Sequence, residues 1–417
     1  MLTGKLLKII KTYKVVLTVG VVLIIILIFK GDLLDQLIGK KDLRTYASEI
    51  IKLCSKEQFT PNCYDREVPK LMKYLSMEET FDVVRLIQEN NREYLFCHVV
   101  AHEISDIETK KDPDKWMDVV SRCPVTMCNN GCPHGAIMQR FQSEVLSEKQ
   151  IIQALPELKN VCEPRGSWNP TEVERSMCYH SIGHIAMYIT GADIDKSLEL
   201  CKEINIKEDG RNYYQTCVQG IFMIVFQGIE PDDFALVADI KPEKDELNEF
   251  CGQYKGTEFF ACRTEAWPLF YNEIKQPEGL VNFCSFTDDP WGQTWCYGTG
   301  ISLISLELLE FGENPGVEAV SNYCKALPDN RQAQCFANAA SRFVQVDPKY
   351  TAQSVALCEL AEELGKGEHC YQDLLFYSKY SFHGDSQAFR EYCGHFDTAR
   401  KQKCLIGDVP TDFYFNL

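Results

Sequence analysis

Five of the eight histidines in this chain fall between positions 98 and 184. Two pairs read His-x-x-x-His, in Cys97-His98-Val-Val-Ala-His102 and Cys178-Tyr-His180-Ser-Ile-Gly-His184, and a fifth histidine stands in Cys132-Pro-His134-Gly. Residues four apart on an α-helix share one face, with Cβ atoms about 6 Å apart, so both imidazoles of a pair reach one cation. Each segment follows a cysteine at what the spacing makes the start of the first helix of a repeat, and equivalent positions of stacked repeats line one surface. His98, His102, His134, His180 and His184 are therefore expected to converge on a transition metal, with more nitrogens than a four-coordinate ion uses. Imidazole suits zinc, copper, iron and nickel, and the residue types do not choose among them. Glu103 is the expected general base, acting on a metal-bound water whose pKa the ion lowers towards 7, with Asp106 as a further ligand or supporting carboxylate. The plainer alternative has the histidines hydrogen-bonding within helix packing, with Gly135 and Gly183 present only so that helices approach closely.

Other chemistries find little support. Covalent haem attachment needs C-x-x-C-H, and Cys128-Asn-Asn-Gly-Cys132-Pro-His134 has the wrong spacing; haem held by two histidines is a minor alternative. There is no G-x-S-x-G, no phosphate-binding loop and no dinucleotide fingerprint. A cysteine nucleophile is not expected, because the thiols should be oxidised.

The elements that must position the histidines are written in those cysteines. There are twenty, an even number that permits complete pairing and more than a reducing cytosol ordinarily carries. No C-x-x-C occurs, which removes the spacing common in structural zinc sites. Cys201 and Cys217, Cys251 and Cys262, Cys284 and Cys296, Cys324 and Cys335, Cys358 and Cys370, and Cys393 and Cys404 are separated by only 11 to 16 positions. Cys54 with Cys63 and Cys162 with Cys178 fit the same rule. Among the crowded remainder, analogy pairs Cys123 with Cys132 and leaves Cys97 with Cys128. Each disulfide is expected to join the last helix of one hairpin to the first helix of the next, contributing roughly 3 kcal/mol by loop closure.

After the second cysteine of each pair the chain runs from small or polar residues into large apolar ones, as in Cys217-Val-Gln-Gly-Ile-Phe-Met-Ile-Val-Phe. These starts recur at roughly 34–46 residues, the period of two-helix repeats. Strand signals are scarce. The expected fold is all-α: residues 54–417 form a disulfide-stapled α-solenoid of two-helix repeats, with the histidine-rich repeats at 90–190. In repeat length and hairpin logic it resembles tetratricopeptide and Sel1-like solenoids, and the resemblance implies an architecture and no function. Gln219, Arg263, Glu265, Asn338, Gln372 and Asp373 stand near the starts of later first helices, as helix caps or as extensions of a polar concave groove.

Val15–Phe29 is an uncharged apolar run between Lys14 and Lys30. It is short for a span of ~20 residues, but snorkelling lysines lengthen the effective segment. Lys5, Lys8, Lys11 and Lys14 precede it and hold the N-terminus in the cytoplasm. The expected topology is a cytoplasmic segment (1–14), a single-pass membrane anchor (15–30), a juxtamembrane helix or linker (31–53) with the stripe Leu33, Leu34, Leu37 and Ile38, and an extracytoplasmic remainder. A cleaved signal peptide is the alternative, although no small-x-small site follows Phe29. The net charge of −17 argues against nucleic acid as a partner. No Asn-x-Ser/Thr acceptor occurs, which favours a bacterial or archaeal envelope. Two function classes follow: a metalloprotein that handles metal or performs metal-assisted hydrolysis or oxidation, and a scaffold that binds a protein or an envelope polymer.

Overall fold

The computed structural model describes residues 41–407 apart from 92–93, 95–96, 125–126, 142–144, 206, 208–209, 229–230, 311–315, 347 and 383–385. Among the described residues every regular element is helical, and one isolated β-bridge joins Arg165 and Trp168. The expected cytoplasmic segment, anchor and apolar stripe lie outside the described residues. Among those described, no helix is long and apolar enough to cross a membrane.

Three helices come first: α1 (Leu43–Cys54), α2 (Thr60–Glu67) and α3 (Met77–Asn90). Residues 43–53, part of the stretch expected as a juxtamembrane helix or linker, are helical and fold with the domain: Ala47 and Ile50 of α1 are buried and the helix packs on α3. Hairpins follow, each an inner helix and then one or two outer ones. The inner helix α4 (His98–Lys111) precedes α5 (Trp116–Arg122), α6 (Gly131–Phe141) precedes α7 (Glu148–Asn160), and α8 (Glu172–Thr190) precedes α9 (Ile194–Asn205). Inner α10 (Tyr214–Gln227) is backed by α11 (Pro231–Val237) and α12 (Leu247–Gly252), and inner α13 (Thr257–Glu265) by α14 (Tyr271–Ile274) and α15 (Pro277–Phe283). Then come α16 (Pro290–Glu310) with α17 (Val317–Ala326), α18 (Asp329–Val346) with α19 (Thr351–Glu362), α20 (Gly367–Ser381) with α21 (Gln387–Gly394), and a final α22 (Thr398–Ile406).

All twenty cysteines are paired, and each has the partner that spacing or analogy assigned to it. Cys54 bonds Cys63 at the α1–α2 corner, Cys97 bonds Cys128, and Cys123 bonds Cys132. Cys162 bonds Cys178, Cys201 bonds Cys217, and Cys251 bonds Cys262. Cys284 bonds Cys296, Cys324 bonds Cys335, Cys358 bonds Cys370, and Cys393 bonds Cys404. None of them is a thiol free to act as nucleophile or metal ligand. From Cys123–Cys132 to Cys358–Cys370, each bridge ties the end of one unit to the inner helix of the next, and Cys393–Cys404 ties α21 to the closing helix α22. Cys97–Cys128 is different: it spans 31 residues and ties the start of α4 to a short turn of 3-10 helix, Met127–Asn130.

Successive inner helices pack on one another from α4 through α6, α8, α10, α13, α16 and α18 to α20. The array also meets itself, because α20 packs against α8 and α18 reaches the Met127–Asn130 turn. A stack whose neighbours are rotated by a small constant angle curls in this way, and here the curl brings the C-terminal inner helices against the N-terminal ones. The apolar interior forms two clusters, one within 47–266 plus Trp295 and one within 274–404, and Phe270 packs against both. A cavity of about 1030 Å³ lies along the inner helices, its wall drawn from both halves of the chain.

Candidate metal centre

Three inner helices carry the histidines. Helix α8 begins at a capping box, in which Thr171 accepts from the Glu174 backbone N–H while Glu174 accepts from that of Thr171, and it ends at Gly191 in the left-handed conformation. Both are sequence-encoded stops that fix where His180 and His184 fall on the helix. Glycine sets how closely the helices cross. A Cβ on Gly183 would stand 2.0 Å from the Cys217 carbonyl oxygen, and one on Gly220 2.2 Å from that of His180. Helices α8 and α10 therefore touch backbone to backbone at this level. Gly135 of α6 lies equally close to α4, where a Cβ would meet the His102 carbonyl oxygen at 2.4 Å. Ordinary helix pairs stand about 8–10 Å apart; these tighter crossings bring imidazoles from different helices within reach of one another.

All five predicted histidines converge. His98, His102, His134 and His184 are buried and His180 is half-buried. Ring centroids lie 4.5 Å apart for His98–His102, 5.0 Å for His98–His134, 4.4 Å for His134–His184 and 4.9 Å for His180–His184. Two trios result, His98–His102–His134 and His134–His180–His184, and within each one ring nitrogen per residue lies within 4.8 Å of the others. His134 belongs to both. The Nε2 atoms of His180 and His184 face each other at 3.1 Å. Two ligands about 2.0–2.1 Å from a tetrahedral ion stand roughly 3.4 Å apart, so this pair needs only a small adjustment to hold one.

The surroundings orient one imidazole and favour the neutral form of three others. His98 Nδ1 lies 3.2 Å from the Cys128 carbonyl oxygen. A carbonyl can only accept, so Nδ1 carries the proton and Nε2 keeps its lone pair, the usual support for a metal-bound histidine. The unusual disulfide supplies that carbonyl, with Cys128 held at φ +54°. Burial pushes His134 and His184 well below the ordinary imidazole pKa, and neighbouring imidazoles add to the effect. His180 is pushed down to about 4 by burial, opposed by a hydrogen bond with the Thr216 backbone. Neutral imidazole is the form that ligates. His134 Nδ1 is buried without a hydrogen-bond partner among the described residues, an arrangement that costs about 1–3 kcal/mol unless something ligates or bonds it.

The cluster sits in the cavity wall. His98, His134 and His180 line the large cavity, and a crevice of about 10 Å³ between His98, His102, His184, Met138, Met223 and Gln227 adjoins it. That crevice has room for one water-sized or ion-sized occupant. The rest of the lining is largely aromatic and polar, with Trp267, Trp291, Trp295, Tyr271, Gln219, Glu265, Asn338 and Asp373. Burial raises the carboxyls of Glu265 and Asp373 to about 7 each, against lowering hydrogen bonds from Gln227 and Ser341. Gln227 links wall and crevice: it lines both, and its Nε2 donates to Glu265 Oε2 at 2.7 Å.

Glu103, the expected base, is exposed on α4 and is not in the histidine cluster, and Asp106 pairs with Lys110 at 2.5 Å. On a helix the residue after a buried one is rotated by about 100°, which carries Glu103 off the buried face. Of the six polar residues expected to extend a groove, Gln219, Glu265, Asn338 and Asp373 line the cavity. Arg263 instead donates to Asn248, and Gln372 donates to Glu368. Sequence reasoning missed the methionines and the aromatic wall. A usable signal existed for the methionines: two and six residues after the cysteine stand His134 and Met138, His180 and His184, Gln219 and Met223 in three successive repeats. No protein-family model, curated protein or solved structure matches this chain.

Proposed function

We propose that this chain is a membrane-anchored, extracytoplasmic metalloprotein whose histidine-bound transition metal acts on a substrate held in the cavity. The observation that carries the reading is the convergence of five imidazoles from three inner helices, three of which, His98, His134 and His180, line that cavity. Three histidines with a remaining position open towards a pocket is the pattern of a reactive ion, whereas structural ions are closed off by four protein ligands. An ion there would acidify a bound water or polarise a substrate oxygen, supporting hydrolysis, or would exchange electrons with it, supporting oxidation. Glu265, with a pKa of about 7 and joined to the crevice through Gln227, is the carboxyl placed for proton transfer.

The wall describes the substrate in general terms. Trp267, Trp291 and Trp295 offer apolar faces. Trp295 Nε1 and Asn338 Oδ1 are buried without hydrogen-bond partners among the described residues, one donor and one acceptor that a polar ligand would satisfy. A net charge of −17 argues against nucleic acid, and the oxidised cysteines and the apolar run at Val15–Phe29 support the extracytoplasmic, anchored placement.

Elemental analysis of the full chain, purified from membranes without a histidine tag, tests the metal. At least one equivalent of transition metal is expected, and a double variant carrying His98→Ala and His180→Ala should lose it while keeping its helical circular dichroism. A metal-free protein from metal-replete cells would overturn the reading. A second reading, a scaffold gripping a protein or envelope polymer, has the aromatic wall in its favour; it requires ligand binding to survive in that double variant.

A further inference from the structure

Building on the metal reading, we propose that the ion is copper and that methionine thioethers complete its coordination, with Met223 joining His180 and His184. Three observations meet here. Met223 Sδ lies 3.3 Å from His180 Nε2, so the sulfur and the nitrogen already stand at the separation of two ligands on one ion. The ion-sized crevice is lined by His98, His102 and His184 together with Met138, Met223, Ile224, Gln227 and Asp233, whose carboxylate is already engaged by the Tyr188 hydroxyl. Met138 and Met223 also occupy the repeat position that His184 holds in the repeat between them, six residues after the cysteine. Position six thus reads Met, His, Met in consecutive repeats, and position two reads His, His, Gln.

Donor softness then selects the ion. Imidazole alone accepts zinc, iron, nickel and copper, whereas a thioether is a poor ligand for the harder ions and a good one for cuprous copper. Zinc sites that use sulfur use thiolate, and every cysteine in this chain is tied up in a disulfide. Sulfur reaches this centre as thioether. The position suits the donor as well: a thioether needs no hydrogen-bond partner, so Met138 and Met223 leave no polar atom stranded when the site is unoccupied.

Competition and spectroscopy test the assignment. The metal-stripped full chain is offered equimolar zinc and copper, the copper held cuprous by ascorbate under nitrogen, and bound metal is counted after gel filtration. Copper should be retained over zinc by at least about tenfold, and absorption at the copper edge should show sulfur in the first coordination shell. Met223→Leu, a substitution of similar volume that cores tolerate, should lower cuprous affinity about tenfold or more while leaving zinc uptake and the melting temperature near those of the parent. Met223→His should restore copper binding and bring zinc affinity up with it. Zinc outcompeting copper, or a shell of nitrogen alone that Met223→Leu leaves unchanged, would overturn the thioether proposal and leave a histidine metal site standing. A chain that takes up neither ion would overturn both.

Discussion

The N-terminal and C-terminal walls of the cavity are built on the same hairpin and the same disulfide staple, yet they present opposite chemistry. On α4, α6 and α8 the inward positions carry imidazoles, whereas the residue three after the cysteine on α13, α16, α18 and α20 is Glu265, Thr299, Asn338 and Asp373, all lining the cavity. The cysteines that set this offset are Cys262, Cys296, Cys335 and Cys370, each the second member of its bridge. Desolvation acts on the two walls with opposite sign and one result. It pushes the bases His134, His180 and His184 down and the acids Glu265 and Asp373 up, because burial penalises whichever form is charged. A chain of net charge −17 thereby encloses a cavity on whose wall Glu265 and Asp373 are largely uncharged below about pH 7 and His180 is uncharged above about pH 4. The difference shows that the repeat sets where side chains point, while residue type at a few inward positions decides what each wall can bind.

The most damaging way to separate the walls is to remove the imidazole both trios share. His134→Ala should cut metal affinity by about a hundredfold or more, since every three-histidine set in the cluster includes it; Asp373→Asn should leave it unchanged. Titration with a competing chelator reads both. Equal losses in the two variants would mean that the walls act as one site.

Disulfides offer a comparison in stability. In the loop-closure relation the 31-residue span of Cys97–Cys128 is worth about 4 kcal/mol and the 11-residue span of Cys324–Cys335 about 3 kcal/mol. Replacing either pair with alanine should destabilise the fold by a similar amount in urea titrations. Removing Cys97–Cys128 should also weaken metal binding, because Cys128 carries the carbonyl that holds His98 Nδ1. Unaltered metal affinity in that variant would show that the bridge is a staple like the others.

Glycine gives a smaller effect with a sharp control. Gly183→Ala places a methyl 2.0 Å from the Cys217 carbonyl oxygen, so α8 and α10 must separate, at a cost of about 1–3 kcal/mol. Gly394→Ala on α21, where a Cβ meets nothing within 4 Å, should be neutral or slightly stabilising. Thermal melts of the two variants decide whether the close crossing matters.

Much of this was legible beforehand, for identifiable reasons. A disulfide of short span constrains its own partners, so the pairing and the hairpin order could be read from cysteine spacing, and the histidines followed because they ride at fixed offsets from those cysteines. The exposure of Glu103 was not legible, since a residue adjacent to a ligand in sequence is rotated off its face and only the packing of α4 on α6 fixes which face is buried. The aromatic wall was hidden for a different reason. Trp267, Trp291 and Trp295 belong to neighbouring repeats and share a cavity with the histidines only because the array curls back on itself, and curvature accumulates from small rotations per repeat that no local pattern records. The placement of Arg263 in a bond to Asn248 and of Gln372 in a bond to Glu368 likewise depended on side-chain direction within a helix turn.

The acidic wall should announce itself through pH. Asp373 is held at about 7 in the folded chain, against an ordinary carboxyl value near 4 when unfolded. With the folded value raised, its contribution is fully present below about pH 4 and is lost as the pH climbs towards 7. Asp373→Asn, which still accepts from Ser341, should therefore match the parent at about pH 4 and exceed it in stability at about pH 8, by an amount of order 1–4 kcal/mol. Glu265→Gln should act with the same sign. Parallel urea titrations at the two pH values measure the difference, and a parent no less stable relative to Asp373→Asn at the higher pH than at the lower would show that the carboxyl is solvated.

The smallest effect expected is at Glu103, and it is informative because it is small. Glu103 is exposed and stands outside both histidine trios, so Glu103→Gln should leave metal content as it was. Glu265→Gln, by contrast, exchanges a group able to move a proton for one that keeps the hydrogen bond with Gln227 in altered form. If turnover of any substrate found for the cavity falls in the Glu265 variant and holds in the Glu103 variant, proton transfer belongs to the wall facing the metal. The reverse result would move it to the solvent side of α4, and the cavity would then be a binding site alone.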